Sequence, residues 1–158
     1  MDSSHILVVD DNSAWRRTML LCLKRLPGVA RIDAVPDGRS ALQICETTKP
    51  DLVILDISMP NMDGLEAAKY ILSIDQGAAI LILTMYLEKQ YAVRAIRAGA
   101  LGYITKSAST SELHAAVRTV ALKKRFLLED GLVETGRQTI DEIYVTGKLL
   151  VFLLGDPA

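Results

Sequence analysis

The feature that most constrains the fold of this chain is a repeated alternation between short apolar runs and segments with helical spacing. The apolar runs cover residues 5–11, 30–35, 51–57, 78–86 and 102–105. Each run is followed by a segment whose apolar residues recur at helical intervals, at 13–26, 38–49, 64–74, 88–100 and 109–124. Because parallel strands need a long crossover, which is usually a helix, this alternation predicts a parallel β-sheet.

The alternation also predicts where in the fold the chemistry lies. Crossovers between parallel strands are right-handed almost without exception, so successive βα units give an α/β fold with a doubly wound sheet. The runs at 51–57 and 78–86 are apolar without alternation, as expected when helices cover both faces. Ligands bind such sheets beyond the carboxyl ends of the strands, so that edge is where a functional site is expected.

Composition excludes several other classes of protein. The chain has 158 residues, of which 50% are hydrophobic and 23% are charged, as in a globular domain with its own core. Its net charge of −1 provides no general attraction for nucleic acid or for an acidic membrane. No apolar run approaches the roughly 20 residues of a membrane helix, and the N-terminus lacks the pattern of a signal peptide. We therefore expect a soluble cytoplasmic protein.

Polar residues stand at the ends of four predicted strands. Asp10 and Asp11 end the first run, Asp56 ends the third, Thr84 lies near the end of the fourth and Lys106 follows the fifth. Neighbouring carboxylates repel one another and raise one another's pKa. A hard divalent cation such as Mg²⁺ relieves this repulsion, because it binds oxygen ligands and keeps positions for water and phosphate oxygens.

These residue types together indicate phosphoryl chemistry. A carboxylate at a Mg²⁺ site can act as a nucleophile and form an aspartyl phosphate. Lys106 can pair with Asp56 or with a phosphoryl group, and the Thr84 hydroxyl can donate to a phosphoryl oxygen. Movement of Thr84 toward the new oxygens would convert a local electrostatic event into a packing change, which is typical of a switch.

Four stretches of the chain resemble the receiver domain of two-component response regulators. They read ILVVDDN, DLVILDISMPNMDG, ILILTMY and RAGALGYITKSAS, and the resemblance extends over about residues 5–123. The segments LTMY and AGALGYITK are similar to the branch whose members carry a C-terminal LuxR-type helix-turn-helix. The resemblance implies a flavodoxin-like sheet of five parallel strands in the order 2-1-3-4-5.

The resemblance also implies a metal site and a phosphoacceptor. Asp56 would accept the phosphoryl group from a sensor histidine kinase or a phosphotransfer protein. Mg²⁺ or Mn²⁺ would be held by the side chains of Asp11 and Asp56, by Asp10 mainly through water, and by the backbone carbonyl of Ser58.

Three further roles follow from the same resemblance. Thr84 would be the switch hydroxyl, Tyr103 the aromatic residue that changes rotamer with it, and Lys106 the phosphoryl contact. Partner surfaces in the family usually involve the fourth and fifth helices, the fifth strand or the first helix.

One departure from the family pattern lies next to Lys106. Receivers usually follow this lysine with proline in a cis peptide bond, whereas this chain has Ser107. A cis bond to a non-proline residue costs about 3–4 kcal/mol, so we expect a trans bond at 106–107 or a loosened loop after the fifth strand. Lys106 would then be placed less accurately.

A second departure is the C-terminal extension at 125–158, which follows the predicted receiver domain at 1–124. Its length of 34 residues is, by the resemblance, too short for a helix-turn-helix with its linker. Two β-rich runs around Gly147-Lys148 predict a hairpin, or a strand or helix packed on a neighbour. Its apolar residues favour a contact with the receiver or with a second copy in a homodimer, and a relic of a lost output domain stays open. The lack of a basic helical pattern argues against direct DNA binding.

Three functions from different classes use residues of these types, and the sequence argues against one of them, a phosphatase. The favoured one is a phosphoacceptor switch that acts on a downstream protein and is not an enzyme. Phosphatases of the haloacid dehalogenase type need a second aspartate two residues after the nucleophile, where this chain has Ser58. The alternative is a phosphorylation-independent pseudo-receiver that serves as a protein-interaction module.

Overall fold

The computed structural model describes residues 4–86 and 89–123, with Lys89 as backbone only, and the backbone of three further strands. The first five strands are β1 (Ser4–Val9), β2 (Val29–Val35), β3 (Leu52–Leu55), β4 (Ala79–Thr84) and β5 (Gly102–Thr105). The helices between and after them are α1 (Ser13–Leu23), α2 (Gly38–Thr48), α3 (Gly64–Ile74), α4 (Lys89–Arg97) and α5 (Thr110–Ala121). All five predicted βα units are present, and most of their elements are a few residues shorter than predicted. Within the described residues, no helix has the length and apolar character to cross a membrane.

The strands β1 to β5 form a parallel sheet in the order β2-β1-β3-β4-β5, which confirms the predicted α/β fold. The register aligns the carboxyl ends of the central strands. Val9 at the end of β1 lies opposite Leu55 at the end of β3, and Thr84 at the end of β4 lies opposite Thr105 at the end of β5. The residues that follow these strands therefore emerge at one edge of the sheet.

Helices cover both faces of the sheet and divide the core into two layers. One layer packs α2, α3 and α4 against alternate strand residues such as Leu55 and Ile82. The other packs α1 and α5 against the intervening residues, including Ile54 and Leu81. Every residue of β3 and β4 is buried, which explains why their sequences are apolar without alternation.

Side-chain caps fix where four helices begin. The capping residues are Asn12 for α1, Asp37 for α2, Asp63 for α3 and Ser109 for α5. Ser109 and Glu112 form a capping box, in which each side chain accepts a hydrogen bond from the other residue's backbone amide. Because each cap satisfies an amide in the first turn of its helix, the caps also fix the loops that carry the polar strand-end residues.

The backbone of the sheet continues beyond β5. The added strands are β6 (Phe126–Leu127), β7 (Thr139–Val145) and β8 (Lys148–Leu154). β6 pairs in parallel with β5, β7 pairs in parallel with β6, and β8 pairs antiparallel with β7. The rest of the predicted extension lies outside the described residues, so the domain boundary at 124 and the dimer contact stay predictions.

Candidate functional site

The sheet register brings the predicted site residues together. Asp10 and Asp56 follow the paired residues Val9 and Leu55, so their side chains leave the sheet next to each other. The exposed fraction is 2% for Asp10 and 5% for Asp56. Two acids buried this deeply at one edge of a sheet need a source of positive charge.

Asp11 completes a cluster of three carboxylates. Asp10, Asp11 and Asp56 can each offer one oxygen such that the three oxygens lie within 4.8 Å of one another. Asp11 is exposed whereas the other two acids are buried, so solvent reaches the cluster from the side of Asp11. Clustered hard oxygen ligands with access for water fit a divalent cation such as Mg²⁺.

Ser58 lies beside the same cluster through its backbone. Its amide donates to Oδ1 of Asp56 across 3.4 Å, a long hydrogen bond that orients the carboxylate. This contact places the Ser58 backbone next to Asp56, and the metal-ligand role of its carbonyl stays a prediction.

Lys106 supplies positive charge to the two buried acids. Its ammonium nitrogen lies 2.6 Å from Oδ2 of Asp10 and 3.3 Å from Oδ2 of Asp56. The Lys106 side chain is only 9% exposed. The contact with Asp56 was predicted from the sequence, whereas the contact with Asp10 was not, and one ammonium group thus balances two carboxylates at once.

The peptide bond between Lys106 and Ser107 is trans, because none of the described residues is joined by a cis bond. The hydroxyls of Thr105 and Ser107 are 2.8 Å apart and share a hydrogen bond. The Lys106 amide donates to the carbonyl of Thr84 across 2.8 Å. With the trans bond, Lys106 still contacts both carboxylates.

The pKa of Asp56 is raised above its ordinary value. Burial is the main cause, and the negative charge of Asp10 adds to it. The charge and hydrogen bond of Lys106 and the amide of Ser58 lower the pKa and oppose this effect. The ionised Asp56 is thus poorly solvated but partly compensated, which is the state expected of a carboxylate that reacts.

The two predicted switch residues share one neighbour. Thr84 is fully buried, and its hydroxyl oxygen accepts a hydrogen bond of 3.3 Å from the amide of Tyr86. Tyr103 is 1% exposed, and its hydroxyl donates to the carbonyl of Tyr86. The ring of Tyr86 also stacks on Tyr91 with centroids 4.6 Å apart. A change at Thr84 can therefore reach Tyr103 and α4 through Tyr86, although the switch roles themselves stay predictions.

Sequence reasoning assigned no role to Gly64, which determines how the loop after β3 closes over Asp56. A Cβ atom at Gly64 would lie 2.0 Å from the backbone oxygen of Asp56. The Gly64 amide donates to the carbonyl of Ile57 across 2.8 Å. Only glycine permits this approach, and the signal was the Asp63-Gly64 pair directly before a helix.

The helical spacing of apolar residues at 13–26 predicts that Trp15 packs in the core, and the structure gives it a second contact. The ring is partly buried and packs against the core layer of α1 and α5. Its face also lies over Lys106, with the ammonium nitrogen 5.1 Å from the ring centroid. The signal for this contact was the position of Trp15 in the first turn of α1, directly after the Asp10-Asp11 pair.

Comparison with known proteins agrees with this arrangement. The family model described as the response regulator receiver domain matches residues 6–118. Response regulator UvrY of Escherichia coli (strain K12) is 31% identical over 126 residues, which are 80% of this chain and 58% of UvrY. The chain thus spans little more than half the length of this curated relative.

Two solved structures are similar over most of the chain. A two-component response regulator of the LuxR family from Aurantimonas sp. SI85-9A1 has a TM-score of 0.77 and 32% identity, covering 83% of this chain and 93% of that one. A DNA-binding response regulator of the LuxR family from Staphylococcus aureus has a TM-score of 0.68 and 26% identity, covering 75% of this chain and 98% of that one. The expectation that this protein does not bind DNA directly finds no support in these comparisons.

Proposed function

The chain belongs to the response regulator receiver domain family of two-component systems, and from this membership we propose that it is a switch that accepts a phosphoryl group on Asp56. The observation that supports this most is the position of Lys106, whose ammonium contacts both Asp10 and Asp56 beside the three-carboxylate cluster. This arrangement joins a nucleophile, a cation-binding cluster and a fixed positive charge.

In the proposed reaction, an oxygen of ionised Asp56 attacks the phosphorus of a phosphohistidine on a sensor kinase or phosphotransfer protein. The bond between phosphorus and the donor imidazole nitrogen breaks, and the imidazole keeps the electron pair and takes up a proton. Lys106 lies close enough to Asp56 to contact the transferred group and to offset its negative charge.

The carboxylates of Asp10, Asp11 and Asp56 would hold Mg²⁺ or Mn²⁺, together with the Ser58 carbonyl. When bound, this cation neutralises the charge that gathers on the phosphoryl oxygens. Asp56 must stay ionised to react, and the Lys106 contacts that lower its pKa favour that state against burial. Asp56 would therefore react as a charged carboxylate within a largely buried environment.

The proposed switch begins at Thr84. A phosphoryl group on Asp56 brings new acceptor oxygens, to which the buried Thr84 hydroxyl can donate. If Thr84 moves toward them, its contact with the Tyr86 amide changes, and so does the surrounding of Tyr103, which bonds to the carbonyl of Tyr86. This rearrangement would alter the surface formed by α4, β5 and α5.

We propose that this surface binds the downstream partner. We propose a cytoplasmic signalling protein, not an enzyme, whose downstream partner is another protein or a second copy of this chain. The similarity to LuxR-family regulators makes DNA a further proposed target for the whole protein.

Intact-mass analysis after incubation with acetyl phosphate and Mg²⁺ tests the proposal. One added phosphoryl group is expected on the wild type, none on Asp56→Asn, and none in the presence of EDTA. Asp37→Asn is a matched control, because Asp37 caps α2 at the same edge of the sheet. Absence of an adduct on a folded wild-type protein would support the pseudo-receiver alternative.

A further inference from the structure

A closed set of contacts links the loop after β1 to Lys106. The side chain of Asp10 accepts a hydrogen bond of 2.9 Å from the amide of Asn12, and the side chain of Asn12 accepts one of 2.9 Å from the amide of Trp15. The face of Trp15 covers the ammonium of Lys106, which pairs with Asp10 in turn. The same short turn thus positions one acid that binds Lys106 and the ring that covers it.

The side chain of Lys106 needs such a restraint. Its four-carbon stem is flexible, and an ammonium group has no directional fork like that of arginine. The residue that follows is Ser107 in a trans linkage, not the proline usual in the family, so the backbone restrains this loop less. In the described part of the chain, the ammonium contacts two carboxylates and one indole face.

The indole ring offers its face to the cation, and no hydrogen bond fixes its edge. The Nε1 atom of Trp15 is buried and has no hydrogen-bond partner among the described residues. A buried donor without a partner is unfavourable, so packing and the cation contact must hold the ring in place. A cation–π contact strengthens when both groups are shielded from water, as they are here.

We propose that Trp15 is a positioning residue that holds Lys106 against Asp10 and Asp56, and that it replaces the restraint which a proline at position 107 would give. This inference rests on the proposed function, since the task of Lys106 is to contact the phosphoryl group. Trp15 contacts the ammonium of Lys106, and it acts on phosphoryl transfer through Lys106.

Loss of the Trp15 ring should affect the rate of phosphoryl acceptance but not the binding of Mg²⁺. Without the ring, the ammonium samples positions away from Asp56, and the maximal rate of phosphoryl acceptance falls. Binding of Mg²⁺ does not weaken, because the three carboxylates remain and a displaced Lys106 competes less for them. A residue that only packs the core would not produce this split.

Replacing Trp15 also removes packing in the core, and this effect must be distinguished from loss of the contact with Lys106. Trp15 lines a pocket of about 100 Å³ between α1 and α5, together with Met19 and Leu113. Met19 lies one turn further along α1 and is buried, and its side chain has no aromatic face to offer the Lys106 ammonium. Met19→Ala is therefore a matched control for packing loss in the same pocket.

The experiment measures acceptance from acetyl phosphate by the full chain across a Mg²⁺ titration, with intact mass as the readout. Trp15→Leu is expected to lower the maximal rate roughly tenfold, which corresponds to the loss of one cation–π contact. Trp15→Phe should keep most of the rate, Met19→Ala should keep nearly all of it, and the half-saturating Mg²⁺ concentration should not rise. Adding Ser107→Pro should restore part of the rate in Trp15→Leu and change the wild type less.

Two outcomes would overturn the proposal: a loss in Trp15→Leu no greater than that in Met19→Ala, or an equal loss in Trp15→Phe. A separate readout tests the contact without any phosphoryl transfer. Trp15 is the single tryptophan of the chain, so its fluorescence reports on this site alone. The emission should change in Lys106→Met, and an unchanged spectrum would rule out the contact even if the wild type accepts no phosphoryl group.

Discussion

Asp37 and Asp56 both follow strands at the same edge of the sheet, yet folding changes their pKa values in opposite directions. Asp37 caps α2 and accepts a hydrogen bond of 2.8 Å from the amide of Ser40. Hydrogen bonds from Ser40, first from its backbone, lower the pKa of Asp37, and the charge of Arg39 adds to this effect. Burial and the charge of Asp10 raise the pKa of Asp56.

The difference in pKa means that ionisation of Asp37 stabilises the fold, whereas ionisation of Asp56 destabilises it. Folding gives the charged form of Asp37 hydrogen bonds, so ionisation there stabilises the native state. Folding removes water from Asp56 and places another acid beside it, so ionisation there is unfavourable despite Lys106. Such an unfavourable charge is kept where it serves chemistry, which agrees with the proposed role of Asp56.

The largest expected effect is a loss of stability on replacing Gly64, which lies against Asp56, and this loss should exceed that at Gly38, which follows Asp37. Gly64→Ala should destabilise the protein by about 3 kcal/mol, because its Cβ would meet the Asp56 backbone at 2.0 Å and neither chain segment can yield easily. Gly38→Ala, next to Asp37, should cost about 1 kcal/mol or less, since its Cβ meets the flexible end of Met62 at 2.7 Å. Urea denaturation measures both.

Gly77→Ala serves as the control for a glycine in open surroundings, where the nearest contact would be an ordinary 3.5 Å. Equal costs at Gly64 and Gly38 would contradict the tight closure of the loop over Asp56.

Removal of the cap at Asp37 should have the next largest effect. Asp37→Ala takes away the acceptor for the Ser40 amide and should lower the free energy of unfolding by about 1 kcal/mol. Phosphoryl acceptance by Asp56 should be nearly unchanged. Asp37→Asn should be far milder because asparagine caps helices as well as aspartate does. Loss of phosphoryl acceptance in Asp37→Ala would contradict the conclusion that Asp37 supports the fold and only Asp56 serves the chemistry.

Replacement of Asp56 should raise the stability of the protein, whereas replacement of Asp37 lowers it. In metal-free buffer at neutral pH, Asp56→Asn should raise the free energy of unfolding. The variant removes a buried charge that burial and Asp10 disfavour, and it leaves Lys106 paired with Asp10 at 2.6 Å. Thermal unfolding with EDTA measures the change, and a lower midpoint for the variant would show that Lys106 overcompensates the burial of Asp56.

The comparison also shows how far the sequence could predict the site. Parallel strands end at one edge, so the meeting of Asp10, Asp56 and Lys106 followed from strand order alone. Whether an aspartate after a strand caps a helix or stays buried is harder to infer, because it depends on the path of the next loop. Asp37-Gly38 and Asp63-Gly64 look alike in sequence, yet only Gly64 lies against the backbone of Asp56.

The contact between Trp15 and Lys106 was also beyond sequence reasoning. Helical spacing placed Trp15 on the apolar stripe of α1, and that stripe does pack on the core. Its position over Lys106 depends on how α1 lies relative to the end of β5, which is tertiary geometry. Tertiary geometry also decides whether Lys106 reaches the two acids with a trans bond to Ser107, and the structure shows that it does.

The smallest expected effect is the pH dependence of stability, and it should differ in sign between the two acids. For Asp56 the native pKa lies above the unfolded value of about 3.9, so the native state binds more protons between these two values. Stability from this group therefore falls as the pH rises through that window. For Asp37 the native pKa lies below the unfolded value, so its contribution to stability is present above about pH 3.9 and is lost as the pH falls through the native pKa.

Denaturation of the wild type, Asp37→Asn and Asp56→Asn in EDTA at several pH values measures the contribution of each charge to this pH dependence. The advantage of Asp56→Asn should shrink as the pH is lowered toward 3.9, and a pH-independent advantage would mean that the burial of charge at Asp56 is not its cause.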